Sequence, residues 1–167
     1  FTADSTVEKQ GLFSKDHSGY QDGGHLTVYV VDGRVKARLQ SDSASVTLRS
    51  AEGSIVAGQE HEVAVSFGPG GFRLFVDGEL ADSEIEFTQG IAANLNSLVI
   101  GANAWSRDGD RDNLRNFFSG SIHNLAIYDL AYEDIDFTPD DEENTVTDAA
   151  LVSLARDDAL ELLPLRG

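Results

Sequence analysis

An all-β chain, an antiparallel β-sandwich of the jelly-roll kind closed by a short C-terminal helix, is what three features of the sequence predict. Short apolar runs alternate with polar residues, turn-forming Gly, Asp and Asn separate them, and no long helical period falls between them. Alternation with period two puts one set of side chains on a buried sheet face and the other on a solvated one. The candidate strands are residues 12–15, 25–30, 34–39, 45–49, 54–57, 61–67, 72–76, 79–87, 97–101 and 118–128. Their number and spacing suit two packed sheets.

The turns carry the pairing. Val31-Asp32-Gly33 joins 25–30 to 34–39, and Asp77-Gly78 joins 72–76 to the run starting at Glu79. An Asp-Gly pair tolerates the positive φ of a tight hairpin turn, so each pair of runs is expected to fold back on itself. Gly68-Pro69-Gly70-Gly71 reads as a third turn, leading from 61–67 into Phe72. In the 34–39 run, Arg34, Lys36 and Arg38 share one face, and Val35, Ala37 and Leu39 share the other.

After Tyr128 the character changes. Residues 138–147, with Pro139 and the acids Asp140 to Glu143, read as an acidic linker. Residues 148–167 hold the helix candidate: Leu151, Leu154, Ala155 and Leu162 make an approximate apolar stripe and Pro164 ends it. Residues 1–137 are therefore expected to be the sandwich domain, with this tail packed on it or leading to a neighbouring domain.

Composition narrows the function classes. Twelve Lys and Arg against 29 Asp and Glu give a net charge of −17, which repels phosphate backbones and anionic headgroups and attracts cations such as calcium. Neither nucleic acid nor a membrane surface is an expected partner, and no apolar run approaches the roughly 20 residues needed for membrane insertion. With no cysteine there is no disulfide scaffold, thiolate zinc site or thiol nucleophile. The chain begins at Phe1 and holds no methionine, as expected of a processed product or an internal segment.

The strand order also resembles a known family. His61-Glu62-Val63-Ala64-Val65, then Phe72-Arg73-Leu74-Phe75-Val76-Asp77-Gly78, is similar to the paired strands "W-H-H-V-A-V" and "L-Y-V-D-G" of the laminin G-like, concanavalin A-like jelly-roll superfamily. Phe118-Ser119-Gly120-Ser121-Ile122-His123-Asn124-Leu125-Ala126-Ile127-Tyr128 resembles its closing motif "F-x-G-x-I-D-x-V-x-I-Y", with His123 and Asn124 where acids are common. Tyr132-Glu133-Asp134-Ile135 is similar to the turn that follows. The resemblance implies one or two opening strands lying before Phe1, including one that pairs near the closing motif. Without them, either the tail covers the sheet edge left open or the chain is a fragment of a larger domain.

Two loops carry candidate chemistry. Asp108, Asp110 and Asp112 stand at alternate positions, followed by Asn113, and such a loop converges its carboxylates on one hard cation if it curls. It resembles the first half of an EF-hand loop, but Ser119 stands where the closing glutamate would be. Calcium is the cofactor implied, and the resemblance adds to this because laminin G-like domains often hold calcium at the sandwich rim. The competing reading is a solvated acidic turn. In the other loop, His17 and Tyr20 are suited to stack on a sugar ring while Asp16, Gln21 and Asp22 hydrogen-bond its hydroxyls; a purposeless polar turn has the same composition. Trp105, the single tryptophan, is either a stacking platform beside the acidic loop or partly buried packing.

Catalysis is not expected. Glycoside hydrolases of this architecture set acids along one strand as "E-x-D-x-x-E", whereas Glu84-Ile85-Glu86 is followed by Gln89, and an amide delivers no proton. The reading is a non-catalytic module of a larger secreted or surface bacterial protein, binding a glycan or an extracellular protein with the help of calcium. The alternatives are a structural module that contacts neighbouring domains without a soluble ligand and, less favoured, a hydrolase.

Overall fold

The computed structural model describes residues 1–16, 23–91, 93–104 and 113–128. Ten strands lie among them: β1 Thr2–Ala3, β2 Gln10–Lys15, β3 His25–Val31, β4 Arg34–Gln40, β5 Ser45–Arg49, β6 Val63–Ser66, β7 Phe72–Val76, β8 Glu79–Glu84, β9 Val99–Ile100 and β10 Gly120–Ser121. All pair antiparallel: a five-stranded sheet in the order β5-β4-β3-β2-β9, a three-stranded sheet β6-β7-β8, and a two-stranded ribbon β1-β10. The antiparallel sandwich expected from the sequence is the observed architecture. The acidic linker at 138–147 and the helix at 148–167 lie outside the described residues.

Both Asp-Gly turns form as expected. Asp32 and Gly33 have φ of 51° and 66°, and Asp77 and Gly78 have 51° and 81°, the paired left-handed conformations that let two strands reverse in two residues. That turn sets the register Val30↔Val35, Val28↔Ala37 and Leu26↔Leu39, and β5 continues it with Ala37↔Leu48. These residues share the inner face, where they meet Phe72, Leu74 and Val76 of the small sheet in one buried cluster. Leu39, Val30, Val35, Phe72 and Leu74 are fully buried. Each side chain of this size removed from water contributes about 1.5–3 kcal/mol, so this layer supplies the main driving force for the fold.

Three expectations change. Residues 54–57 form no strand: Ile55 is buried, but its N–H bonds Gly33 O, and the Val56 N–H bonds the His61 ring, so neither enters a ladder. The 118–128 run keeps only Gly120–Ser121 as strand, and Asn124 at φ 55° breaks the extended backbone beyond it. The strand expected before Phe1 has a counterpart inside the chain, since Thr2↔Ser121 and Ala3↔Gly120 pair within the closing motif.

The outer face of the large sheet positions the site. A bulge in β2 puts Gly11 opposite Tyr29 but Phe13 opposite Val28, so Gly11 shares Tyr29's face and Phe13 turns inward. Ser14, Thr27 and Arg38 then line up across three strands on the outer face. Asn94 secures the neighbouring corner by donating from Nδ2 to both Lys15 O and Gly24 O.

Candidate functional site

An open hollow of about 260 Å³ lies on this outer face, lined by Lys9, Asp16, Thr27, Tyr29, Arg38, Asn103, Arg115 and Asn116. Its rear wall comes from a chain segment held against β2 by backbone bonds. Gly11 N–H bonds Asn116 O at 2.8 Å, and Asn103 and Arg115 exchange two backbone bonds of 2.8 and 2.9 Å. The approach is close because residue 11 is glycine: a Cβ there would stand 2.3 Å from Asn103 Oδ1. Asn103 Oδ1 thus occupies the space a side chain at position 11 would take, beside Tyr29.

The polar groups of the hollow divide into satisfied and unsatisfied. Asp16 is buried, accepts from Thr27 Oγ1 at 2.8 Å, and lies 3.7 Å from Arg38 Nη1 and 3.6 Å from His25 Nδ1. The guanidinium of Arg38 also reaches Ser45 Oγ and Gln40 Oε1. Asn103 Nδ2 donates to Asn116 Oδ1 at 3.4 Å, but Asn103 Oδ1 has no hydrogen-bond partner although the residue is only 3% exposed. A buried acceptor left unpaired costs about 1–3 kcal/mol.

Among the described residues, charge in the hollow runs opposite to that of the chain. Lys9, Arg38 and Arg115 face one carboxylate, Asp16, and Lys36 and Arg49 stand on the same sheet face. The Lys9 ammonium lies 4.0 Å from the centre of the Tyr29 ring, a cation–π contact. Burial holds the Lys9 pKa below its ordinary value, Arg38 and Lys36 push the same way, and Asp16 opposes them. Burial pushes the Tyr29 hydroxyl up, against the pull of Arg38 and Arg49.

Of the residues singled out from sequence, Asp16 lies in this hollow. Asn113 is partly buried, two residues before Arg115. His17, Tyr20, Gln21, Asp22, Trp105, Asp108, Asp110 and Asp112 lie outside the described residues. Among the described residues no three His, Asp or Glu side chains gather as a metal site. Both candidate loops nevertheless leave from hollow residues, one directly after Asp16 and the other between Asn103 and Arg115. Sequence reasoning missed Lys9, Thr27, Tyr29, Asn103, Arg115 and Asn116. Its one usable signal was the row Arg34, Lys36 and Arg38. The Glu84-Ile85-Glu86 run is at the end of β8, in the other sheet.

Comparison with known proteins decides the family. Residues 1–135 match the laminin G type family of the concanavalin A-like lectin/glucanases superfamily. The chain belongs to this superfamily. No curated protein matches the sequence. Among solved structures the chain is similar to residues 221–444 of an S-layer domain-containing protein from Clostridium thermocellum, seen in a crystal structure, with 16% identity and a TM-score of 0.39. That match covers 79% of this chain and 62% of the other, so the chain spans about six-tenths of that crystallised 221–444 segment.

Proposed function

We propose that this superfamily domain is a non-catalytic recognition module of a larger extracellular bacterial protein, which docks a glycan or a protein ligand over the hollow on the outer sheet face. The observation that carries the reading is the open polar hollow lined by Lys9, Asp16, Thr27, Arg38 and Asn116, with both candidate loops starting from hollow residues. Binding without catalysis is supported by the lining, where Asp16 is the single carboxylate among the described residues, while glycoside hydrolysis uses two flanking the bond. A calcium ion on Asp108, Asp110, Asp112 and Asn113 completes the reading. Glycan-array binding with and without chelator tests the docking. A melting temperature that rises with millimolar calcium and loses the rise in Asp110→Ala tests the metal, because a ligand of the native state alone stabilises it. No calcium shift removes the ion, and silence across broad panels removes the soluble ligand.

One observation favours the structural alternative. Leu125, Ile127 and Tyr128, in the closing segment, are 53%, 44% and 52% exposed. Apolar exposure concentrated in so short a segment suits contact with a neighbouring domain.

A further inference from the structure

We propose that the acidic run Asp140-Asp141-Glu142-Glu143 of this same chain lies across the outer face of the five-stranded sheet and is the partner of its basic row. The proposal does not rest on the hollow taking a ligand. Lys36 stands directly opposite Tyr29 on one side and Arg49 on the other, so Tyr29, Lys36 and Arg49 form one row across three strands. Lys9 reaches over the Tyr29 ring, and Arg115 lines the hollow beside them. Like charges set directly opposite one another on neighbouring strands destabilise a sheet, and a counter-charge between them relieves it. Among the described residues no carboxylate lies within ion-pair distance of Lys9, Lys36, Arg49 or Arg115. Asp16 is held by Thr27 and Arg38, and Asp82 accepts from the Arg49 backbone N–H rather than pairing with its guanidinium.

Residues 140–143 are the longest unbroken acidic run in the chain, four carboxylates for those four cations. The dimensions agree. Neighbouring strands lie about 4.8 Å apart, so the row from Tyr29 to Arg49 is about 10 Å long, and four extended residues cover about 10–13 Å. Reach is sufficient as well: the 12 residues from 129 to 140 extend to about 40 Å, against a radius of gyration of roughly 14 Å for a domain of this size. Tethering raises the effective concentration of the run at the face to about millimolar, so ion pairs that are individually weak in water form together. A separate acidic partner has to approach against the chain's net charge of −17, whereas these acids are already part of it. Pairing also relieves the mutual repulsion of four adjacent carboxylates. The run then screens the face, and any polyanion arriving there has to displace an internal competitor.

The test uses the whole chain in low salt. A water-soluble carbodiimide joins a lysine amine to a carboxylate in contact with it, and the chain has three lysines: Lys9 and Lys36 at the face, and Lys15, whose ammonium donates to Asn96 O. Mass mapping of the monomer is expected to find links from Lys36 or Lys9, and none from Lys15, to residues 140–143. Their yield should be independent of protein concentration and fall at least fivefold in about 1 M salt. Asp140→Asn, Asp141→Asn, Glu142→Gln and Glu143→Gln together should abolish them, with a thermal melt establishing that the variant folds. Because the chain has no cysteine, Asn144→Cys accepts a single spin label. Its broadening of the Tyr29, Lys36 and Arg49 amide signals is expected to fall at least fivefold when Lys36→Gln and Arg49→Gln are added. Links to residues 108–112 in place of 140–143, links only between copies, or no broadening at the row each overturn the proposal. Broadening that the two added substitutions leave unchanged overturns the basic row as its seat.

Discussion

Replacing Gly11 by alanine tests the wall of the hollow with a single methyl group. The added carbon would stand 2.3 Å from Asn103 Oδ1, 2.5 Å from the Ala102 carbonyl carbon and 2.8 Å from its oxygen. Ordinary contact needs about 3.4 Å or more, so the 102–103 segment has to retreat by roughly 1 Å. Backbone cannot swing aside as a side-chain tip does, and Ala102 is itself buried. Over-packing of this kind costs about 1–3 kcal/mol. Retreat also stretches the two backbone bonds between Asn103 and Arg115, weakening them together by about 1 kcal/mol, for a total of about 2–4 kcal/mol. At about 2–4 °C per kcal/mol for a domain of this size, the melting midpoint falls by about 5–15 °C. Urea denaturation and a thermal melt read this directly. Gly90→Ala is the control, because its new carbon meets only the Phe67 ring, at 3.5 and 3.6 Å. A Gly11→Ala protein as stable as Gly90→Ala would refute the close approach of this segment to β2, and with it the shape of the hollow.

Two further outcomes follow from hydrogen bonds away from the hollow. Asp77 holds a left-handed turn position, accepts from Glu62 N–H at 2.8 Å and meets His61 Nδ1 at 2.8 Å. Asp77→Ala is expected to cost about 2–4 kcal/mol in urea denaturation and Asp77→Asn less than half of that, since Asn tolerates the conformation and keeps an acceptor; equal losses would contradict the assignment. The hydrogen bond to His123 and that ring's charge hold the Glu60 carboxyl below its ordinary range. A lowered carboxylate pKa favours the folded state above the ordinary glutamate range, an effect lost as pH falls through the lowered value. His123→Ala should return Glu60 to its ordinary titration, followed by carboxyl-carbon NMR, and an unmoved titration would remove the pair.

What sequence revealed and what it concealed have physical causes. Alternation and the Asp32-Gly33 and Asp77-Gly78 pairs were legible because each acts within a few residues and fixes its own hairpin. Residues 54–57 misled because a short apolar stretch satisfies periodicity whether its N–H groups enter a ladder or, as at Val56, bond a side chain. The hollow was illegible for a different reason. Asp16, Thr27 and Arg38 meet only through cross-strand register, and the bulge at Leu12 moves Gly11 to the face of Tyr29 by adding one residue. A register offset of one residue exchanges every inward and outward side chain, and alternation alone does not count bulges. Whole-chain charge concealed the basic face by averaging over it.

The Asn94 amide bonds Lys15 O on one side and Gly24 O on the other, so the two stems flanking residues 17–22 are tied to a common post. A mount of this kind separates what is displayed from what supports it. Segments of other lengths or compositions inserted between Asp16 and Gly23 would alter the entropy of closing the loop only gradually, while the sheets beneath keep their alignment. The sandwich is in that sense a socket, and diversification of its binding preference by exchanging this one insert is open both to evolution and to the engineer.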